Sequence, residues 1–476
     1  MLEDSQCLQN EKDIRLSLVR SLLTTDNPFN STEDVLKWIE CRNQEVEVRV
    51  MPTVFSKLSG WHFDPKTRNL CHRSGKFFSV VGLDVTTNVG AINHWSQPVI
   101  NQPEVGYLGI IAKEFDGVLY FLLQAKIEPG NVNCVQLAPT LQATRSNYTC
   151  VHGGNKPAYL DYFRFATSKQ TVLDQLQSEQ GARFYRKRNR NMIVRVESDI
   201  EIGPDFRWLT LGQIKRLMAL DNIVNMDART VLSGLCLSGR EDFVDSGKMT
   251  SVGAELVRSE LSLRGVNSLD QILHKLSKLK SQYILDVEKI PLGDVSSDWL
   301  ITDSEIVRAD RQFFRIIGVD VMIANREVSR WCQPIVEPMH VGLCVLFAKH
   351  INGVLHFLLQ AKVECGNFDI VEFAPSIQCL TGDYLRPMGY TPEYLDDFIS
   401  LRCVDRILFD TRQSEEGGRF YHEQNRNVIA LVNDLIPDSP SDNFLWLTLG
   451  QIKEFLRFNN YLNIQVRSLI AALNYV

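Results

Sequence analysis

Gln124-Ala125-Lys126-Ile127-Glu128-Pro129-Gly130-Asn131 reappears 236 residues later as Gln360-Ala361-Lys362-Val363-Glu364-Cys365-Gly366-Asn367. Trp95-Ser96-Gln97-Pro98 returns at the same offset as Trp331-Cys332-Gln333-Pro334. Gln177-Ser178-Glu179-Gln180-Gly181-Ala182-Arg183-Phe184-Tyr185 returns as Gln413-Ser414-Glu415-Glu416-Gly417-Gly418-Arg419-Phe420-Tyr421. Solenoid units repeat every ~20–50 residues, so this longer period marks a duplicated domain. The copies divide the chain into 1–237 and 266–476. The stretch 238–265 is polar, carries Gly247 and Gly253, shows no partner in the repeat and reads as a linker.

Around the repeated motif the local signals agree. Val105–Lys113 and Val118–Lys126 are β-rich runs about Asp116-Gly117, and Asn352-Gly353 holds that place in the second copy. Both dipeptides supply the positive φ angles of a tight hairpin turn. Phe77–Val85 and Phe313–Val321 read as strands, preceded by Trp61 and Trp299. Ser31 and Ser268 read as helix N-caps, and Thr210–Gln213 and Thr448–Gln451 as capping boxes. Leu211, Ile214, Leu217 and Met218, matched by Leu449, Ile452, Phe455 and Leu456, make apolar stripes that read as core. Strands with a hairpin flanked by helices give an α+β fold on mixed or antiparallel sheets.

Composition excludes several classes. In 476 residues, 51 Lys+Arg stand against 57 Asp+Glu, a net charge of −6, whereas nucleic-acid surfaces are usually basic. The eleven cysteines show no Cys-x-x-Cys and no zinc spacing, and Cys134 and Cys344 lie in apolar runs, as reduced thiols of a cytoplasmic protein would. The acidic N-terminus has no apolar core and predicts no signal peptide. No apolar run reaches the ~18 residues of a membrane span. Dinucleotide, phosphate-loop, Gly-x-Ser-x-Gly and His-Glu-x-x-His motifs are missing, so no cofactor and no metal is expected.

Two clusters could carry chemistry. Thr144-Arg145-Ser146-Asn147-Tyr148 reads as a loop dense in donors and acceptors, suited to a sugar or phosphate. Its counterpart, Thr381-Gly382-Asp383-Tyr384, keeps only the tyrosine. The second cluster pairs Arg183 with Arg419 and Arg190 with Arg426 beside Gly417-Gly418, a set suited to pyrophosphate. The plain alternative is salt bridges to Glu179 and Glu415. Arg186-Lys187-Arg188 has a nucleic-acid flavour, but the second copy has His422-Glu423-Gln424. Trp61 and Trp299 fit either core or a platform for a base.

These segments resemble the NDP-hexose 2,3-dehydratase family of deoxysugar biosynthesis. The resemblance rests on Leu123–Asn131, on Leu137-Ala138-Pro139-Thr140-Leu141-Gln142-Ala143-Thr144-Arg145-Ser146-Asn147-Tyr148, and on Gln413–Tyr421, and runs from about Thr32 to the C-terminus. It implies two tandem Nudix-like domains assembled as a homodimer. The substrate it implies is dTDP-4-dehydro-6-deoxy-α-D-glucose, bound without metal. The Nudix hydrolase box is missing beyond Ser178-Glu179-Gln180-Gly181, which argues against pyrophosphate hydrolysis. The resemblance implies that Trp61 and Trp299 contact the thymine and that Thr144, Arg145, Ser146, Asn147 and Tyr148 form the sugar-nucleotide loop; with the arginines and glycines read above, Arg183, Arg190, Gly417, Gly418, Arg419 and Arg426, and with Tyr384 and Arg386, they make the expected substrate-binding set. It implies two nucleotide-sugar pockets, one of them catalytic.

The implied reaction starts from the C4 ketone, which acidifies the C3 hydrogen. Its removal gives an enolate that expels the C2 hydroxyl, and the resulting enol becomes a 3,4-diketo-2,6-dideoxy sugar. The protein must supply a base, donors to the C4 oxygen and an acid at the leaving group. Tyr148, His152 and Glu128 are the catalytic candidates, with Lys126 beside them; Glu128 and Lys126 recur in both copies, as fold-supporting residues also would. The alternatives are a non-catalytic nucleotide-sugar binder and a metal-dependent Nudix hydrolase.

Overall fold

The computed structural model describes residues 14–149, 155–237, 249–380, 392–400, 407–432 and 435–476. The hairpin is where its turn residues place it, between strands Gly106–Phe115 and Val118–Ile127. Asp116 and Gly117 take φ of 49° and 76°, and Asn352 and Gly353 take 51° and 78°. This pair is the middle of a mixed seven-stranded sheet. Arg188–Val196 runs parallel to the first hairpin strand, and Phe206–Thr210 runs antiparallel to the second. The second half repeats the sheet around Gly342–Ile351 and Val354–Lys362.

The expected helices form with their expected caps. Ser31 and Ser268 close capping boxes on Thr32–Glu45 and Leu269–Gln282, as Thr210 and Thr448 do on Leu211–Met218 and Leu449–Leu456. Their apolar stripes are buried. The architecture is α+β, with duplicated units.

Two findings depart from the sequence reading. First, the stretch read as a linker holds a helix, Ser251–Leu261, capped by Thr250. The Ser259 hydroxyl accepts from Leu449 N at 2.9 Å, as Ser21 in the helix at 14–23 accepts from Leu211 N at 2.8 Å. The stretch therefore does have a repeat partner: Leu18-Val19-Arg20-Ser21 matches Leu256-Val257-Arg258-Ser259. Gly253, read as a loop residue, lets this helix approach Tyr475, whose carbonyl oxygen would lie 1.9 Å from a β-carbon there.

Second, the halves exchange strands. Each copy has a smaller five-stranded sheet built on the predicted strand, here Ser79–Thr87 or Phe314–Ile323. The strand Val48–Thr53 pairs with Phe314–Ile323 of the second half, and Leu285–Ile290 pairs with Ser79–Thr87 of the first. Backbone bonds then tie the halves reciprocally. Gly130 N donates to Gly417 O at 2.8 Å, and Gly366 N to Gly181 O at 2.7 Å. A β-carbon at Gly130 or Gly366 would lie 1.7 Å from the carbonyl oxygen of Phe420 or Phe184, so both positions require glycine.

Helices Met226–Ser233 and Ile464–Ala472 pack together where the halves meet. Arg229 and Arg467 are fully buried in them and bond across the division. Arg229 reaches Gln413 Oε1 at 2.9 Å and Ser414 O at 2.6 Å, and Arg467 reaches Ser178 O. Satisfied guanidinium groups fix the helix register, because an unpaired buried charge is costly.

Candidate active site

Strand exchange places residues of both halves around one cavity of about 850 Å³. The first half lends Trp61, Phe78, Gln102, Lys126, Glu128, Thr144, Asn147, Lys187 and Asp227. The second lends Arg326, Trp331, Glu416, Gly418 and Arg419. The volume lies within the range of pre-formed ligand pockets, roughly 300–1,000 Å³.

At one wall Arg419 lies flat against Phe78, its guanidinium carbon 4.3 Å from the ring centroid. Its Nε donates to Gln102 Oε1 at 3.2 Å and its Nη1 to Gly418 O at 2.7 Å. Among the described residues Nη2 has no protein acceptor, which leaves a stacked, oriented donor for an anion.

The floor is ionisable and buried. Gln142 Nε2 donates to Glu128 Oε1 at 3.0 Å, and Lys126 Nζ lies 3.7 Å from the same oxygen. Burial pushes Lys126 down. Asp227 is 2% exposed; burial first, then repulsion from Glu416, Glu179 and Glu128, holds its carboxyl well above the usual range. Glu416 is pushed up to about 8, chiefly by burial, against the pull of Arg419. A β-carbon on Gly418 would lie 2.6 Å from Glu416 Oε1 and 3.2 Å from Glu128 Oε1, so both carboxyls converge on that glycine. Burial pushes Lys187 down to about 8. Its ammonium donates to Glu104 O, to Asn189 Oδ1 at 2.8 Å and to Arg188 O at 3.5 Å. Among the described residues no group of three His, Cys, Asp or Glu side chains is arranged to hold a metal ion.

The predicted site residues divide. Trp61, Glu128, Thr144, Asn147, Gly418 and Arg419 border the cavity. The stretch read as a loop is a single helical turn, Arg145–Tyr148, because the carbonyls of Thr144 and Arg145 accept from the next turn. On it Arg145 is exposed, and Ser146 is buried with its hydroxyl 3.2 Å from Glu104 Oε2. Tyr148 packs edge-on against Tyr107, centroids 5.6 Å apart, one ring behind the cavity wall. Trp61 is 6% exposed, packs on Phe78 and donates to Cys332 O at 2.8 Å, so most of its ring is core. Trp299 does the same in the other half, donating to Ser96 O at 3.0 Å.

Arg183 is the mirror of Arg419 and stacks on Phe314 at 4.3 Å, away from this cavity. Gly417 is spent on the backbone link to Gly130. Arg190 and Arg426 make two-pronged pairs with Asp174 and Asp410 on neighbouring strands, not with Glu179 and Glu415. Cross-strand register sets that choice, since Leu176 faces Arg190 and Asp174 lies two residues along on the same face. His152, Tyr384 and Arg386 lie outside the described residues.

Asp227, Glu416, Lys187, Gln102 and Trp331 were missed as site residues. Glu416 and Trp331 stood within quoted repeat motifs, and only the exchange of strands puts them beside first-half residues.

The model of the NDP-hexose 2,3-dehydratase family matches residues 32–235 and again 269–473. The dTDP-4-dehydro-6-deoxy-alpha-D-glucopyranose 2,3-dehydratase of Saccharopolyspora spinosa is 44% identical over 468 residues, 96% of this chain and 94% of that protein. Proteins of the same description from Amycolatopsis orientalis and Streptomyces violaceoruber are 40% and 39% identical, over 95% and 92% of this chain and 92% and 95% of their own lengths. Matched in both copies and aligned along nearly its whole length, the chain belongs to the NDP-hexose 2,3-dehydratase family.

Proposed function

We propose that this enzyme removes water across C2–C3 of dTDP-4-dehydro-6-deoxy-α-D-glucose, giving the 3,4-diketo-2,6-dideoxy sugar nucleotide. The observation that carries the reading is the composite cavity: a stacked arginine with a spare donor on one wall and, on the floor, the Asp227 and Glu416 carboxyls held above their ordinary range by burial. The first suits a diphosphate and the second suits proton transfer at neutral pH. The relatives' names supply the substrate.

In this reading Arg419 grips the pyrophosphate, Thr144 and Asn147 hydrogen-bond the sugar, and the floor faces C2 and C3. Of the residues expected to move protons, Glu128 borders the cavity with Oε2 unpartnered among the described residues. Tyr148 packs on Tyr107, which borders the cavity, and does not itself border it. The enolate needs only the substrate's own carbonyl as electron sink. The protein works as a homodimer in the cytoplasm; light scattering at twice the chain mass checks the first point. No helix among the described residues is long and apolar enough to cross a membrane.

Incubation with dTDP-4-dehydro-6-deoxyglucose and a C3-ketoreductase traps the unstable product. Loss of one water, read by mass spectrometry, is the expected result. Tight binding of dTDP with no water lost would return the protein to the class of nucleotide-sugar binders.

A further inference from the structure

The two halves keep most of the floor in common. Lys126, Glu128, Gln142 and Arg419 are matched by Lys362, Glu364, Gln378 and Arg183. Even the geometry repeats, for Gln378 Nε2 donates to Glu364 Oε1 at 3.0 Å, as Gln142 does to Glu128. Shared features of this kind serve the fold or a shared ligand.

The differences concentrate on three ionisable groups. Asp227 becomes Gln465, on a helix that matches its own through the caps Asn225 and Asn463 and the arginines Arg229 and Arg467. Glu416 becomes Gln180, and Lys187 becomes Glu423. Lys187 has its three N–H groups engaged by protein oxygens, so it positions the wall. Asp227 and Glu416 border the cavity and, among the described residues, accept no hydrogen bond from the protein. Each has been replaced in the mirror position by its uncharged amide counterpart or a near one, which keeps bulk and polarity but cannot exchange a proton.

We propose that Asp227 and Glu416, one from each half, are the catalytic proton-transfer pair of this cavity, and that Gln465 and Gln180 leave the mirror position without that chemistry. This rests on the dehydratase reading. The ionised member takes the C3 proton, the C3–H electrons flow into the C3–C4 enolate, and the enolate expels the C2 oxygen. The protonated member gives its proton to that oxygen, which leaves as water. The proton taken from C3 then goes to C2, the enol hydroxyl returns its proton to the second carboxylate, and the pair is restored. Repulsion from Glu416 on Asp227 disfavours ionising both carboxyls, which favours one ionised and one protonated member.

The test uses the full chain with Asp227→Asn and Glu416→Gln. Each variant is expected to lose roughly 10²–10⁴-fold in kcat, with dTDP affinity within about threefold of the parent. Deuterium uptake at C3 from heavy water separates the roles: the variant lacking the base loses exchange, and the variant lacking the acid keeps exchange without water loss. Gln465→Asn in the mirror position should leave turnover within about twofold. If Asp227→Asn does not fold, Asp227→Gln, the residue of the matching helix, takes its place. Turnover within about threefold of the parent in both variants, equal loss in Gln465→Asn, or a loss explained by weaker dTDP binding would overturn the pair. A parent enzyme that releases no water would sink the dehydratase reading itself.

Discussion

Arg419, from the second half, stacks on Phe78, from the first, and the mirror pair Arg183 on Phe314 repeats the distance of 4.3 Å. The relationship makes the cavity depend on both halves. It also predicts the role of Arg419. Arg419→Ala removes stack and donor together, and dTDP binding should weaken by roughly 10–100-fold, measured by calorimetry. Arg419→Lys keeps the charge but loses the planar stack and should recover less than half of that loss in free energy. An affinity unchanged in Arg419→Ala would remove the arginine from the site.

Gly130→Ala places a methyl group on the Phe420 carbonyl and breaks the link to Gly417. The expected cost is about 2–4 kcal/mol of stability, read from urea denaturation, and Gly366→Ala should match it. A cost below about 0.5 kcal/mol would mean that the halves do not interlock this way in solution.

Arg229→Met leaves Gln413 Oε1 and Ser414 O without their donor inside the core. Since both acceptors are left unpaired in the core, stability should fall by about 1–3 kcal/mol for each of them. The same substitution at Arg467 should also destabilise the fold, because it removes the donor to Ser178 O, Leu462 O and Thr230 Oγ1.

Stability should also fall as pH rises through the acid range. Burial holds Glu372 and Glu415 at about 7 and Glu416 at about 8 in the folded chain, against 4.5 ordinarily. Below 4.5 all are protonated in both states and their contribution is full. As pH climbs through 4.5 the unfolded chain releases protons that the folded chain keeps, so stability drains until the folded carboxyls themselves titrate. Lys215 and Lys187, pushed down to about 7 and about 8, act in the opposite sense, with their effect above that range. Urea midpoints should therefore decline from about pH 5 to about pH 7, and Glu416→Gln should flatten the slope. A midpoint that rises over that interval would contradict the buried, protonated state of these carboxyls.

Much of the local structure was legible because its causes are local. Asp116-Gly117 and Asn352-Gly353 meet one steric demand with two residues, and Ser31, Ser268, Thr210 and Thr448 satisfy nearby backbone donors. The helix at Ser251–Leu261 was overlooked although Leu256-Val257-Arg258-Ser259 repeats an earlier string, because four residues beside an unmatched polar stretch make a weak signal. Arg190 was drawn toward phosphate by its neighbours in sequence, whereas its partner, Asp174, is a neighbour only across strands.

By itself the chain dictated the duplication, the hairpins and the capped helices, since these depend on residue type and short spacing. Which residues share a cavity was decided by the tertiary structure. Val48–Thr53 alternates in a way that either copy's sheet could accept, and packing assigns it to the other half. The cross-half link of Gly130 to Gly417 brings Glu416 beside Glu128 and into the cavity with Asp227, a meeting that no local pattern encodes because these residues stand 288 and 189 positions from Glu416.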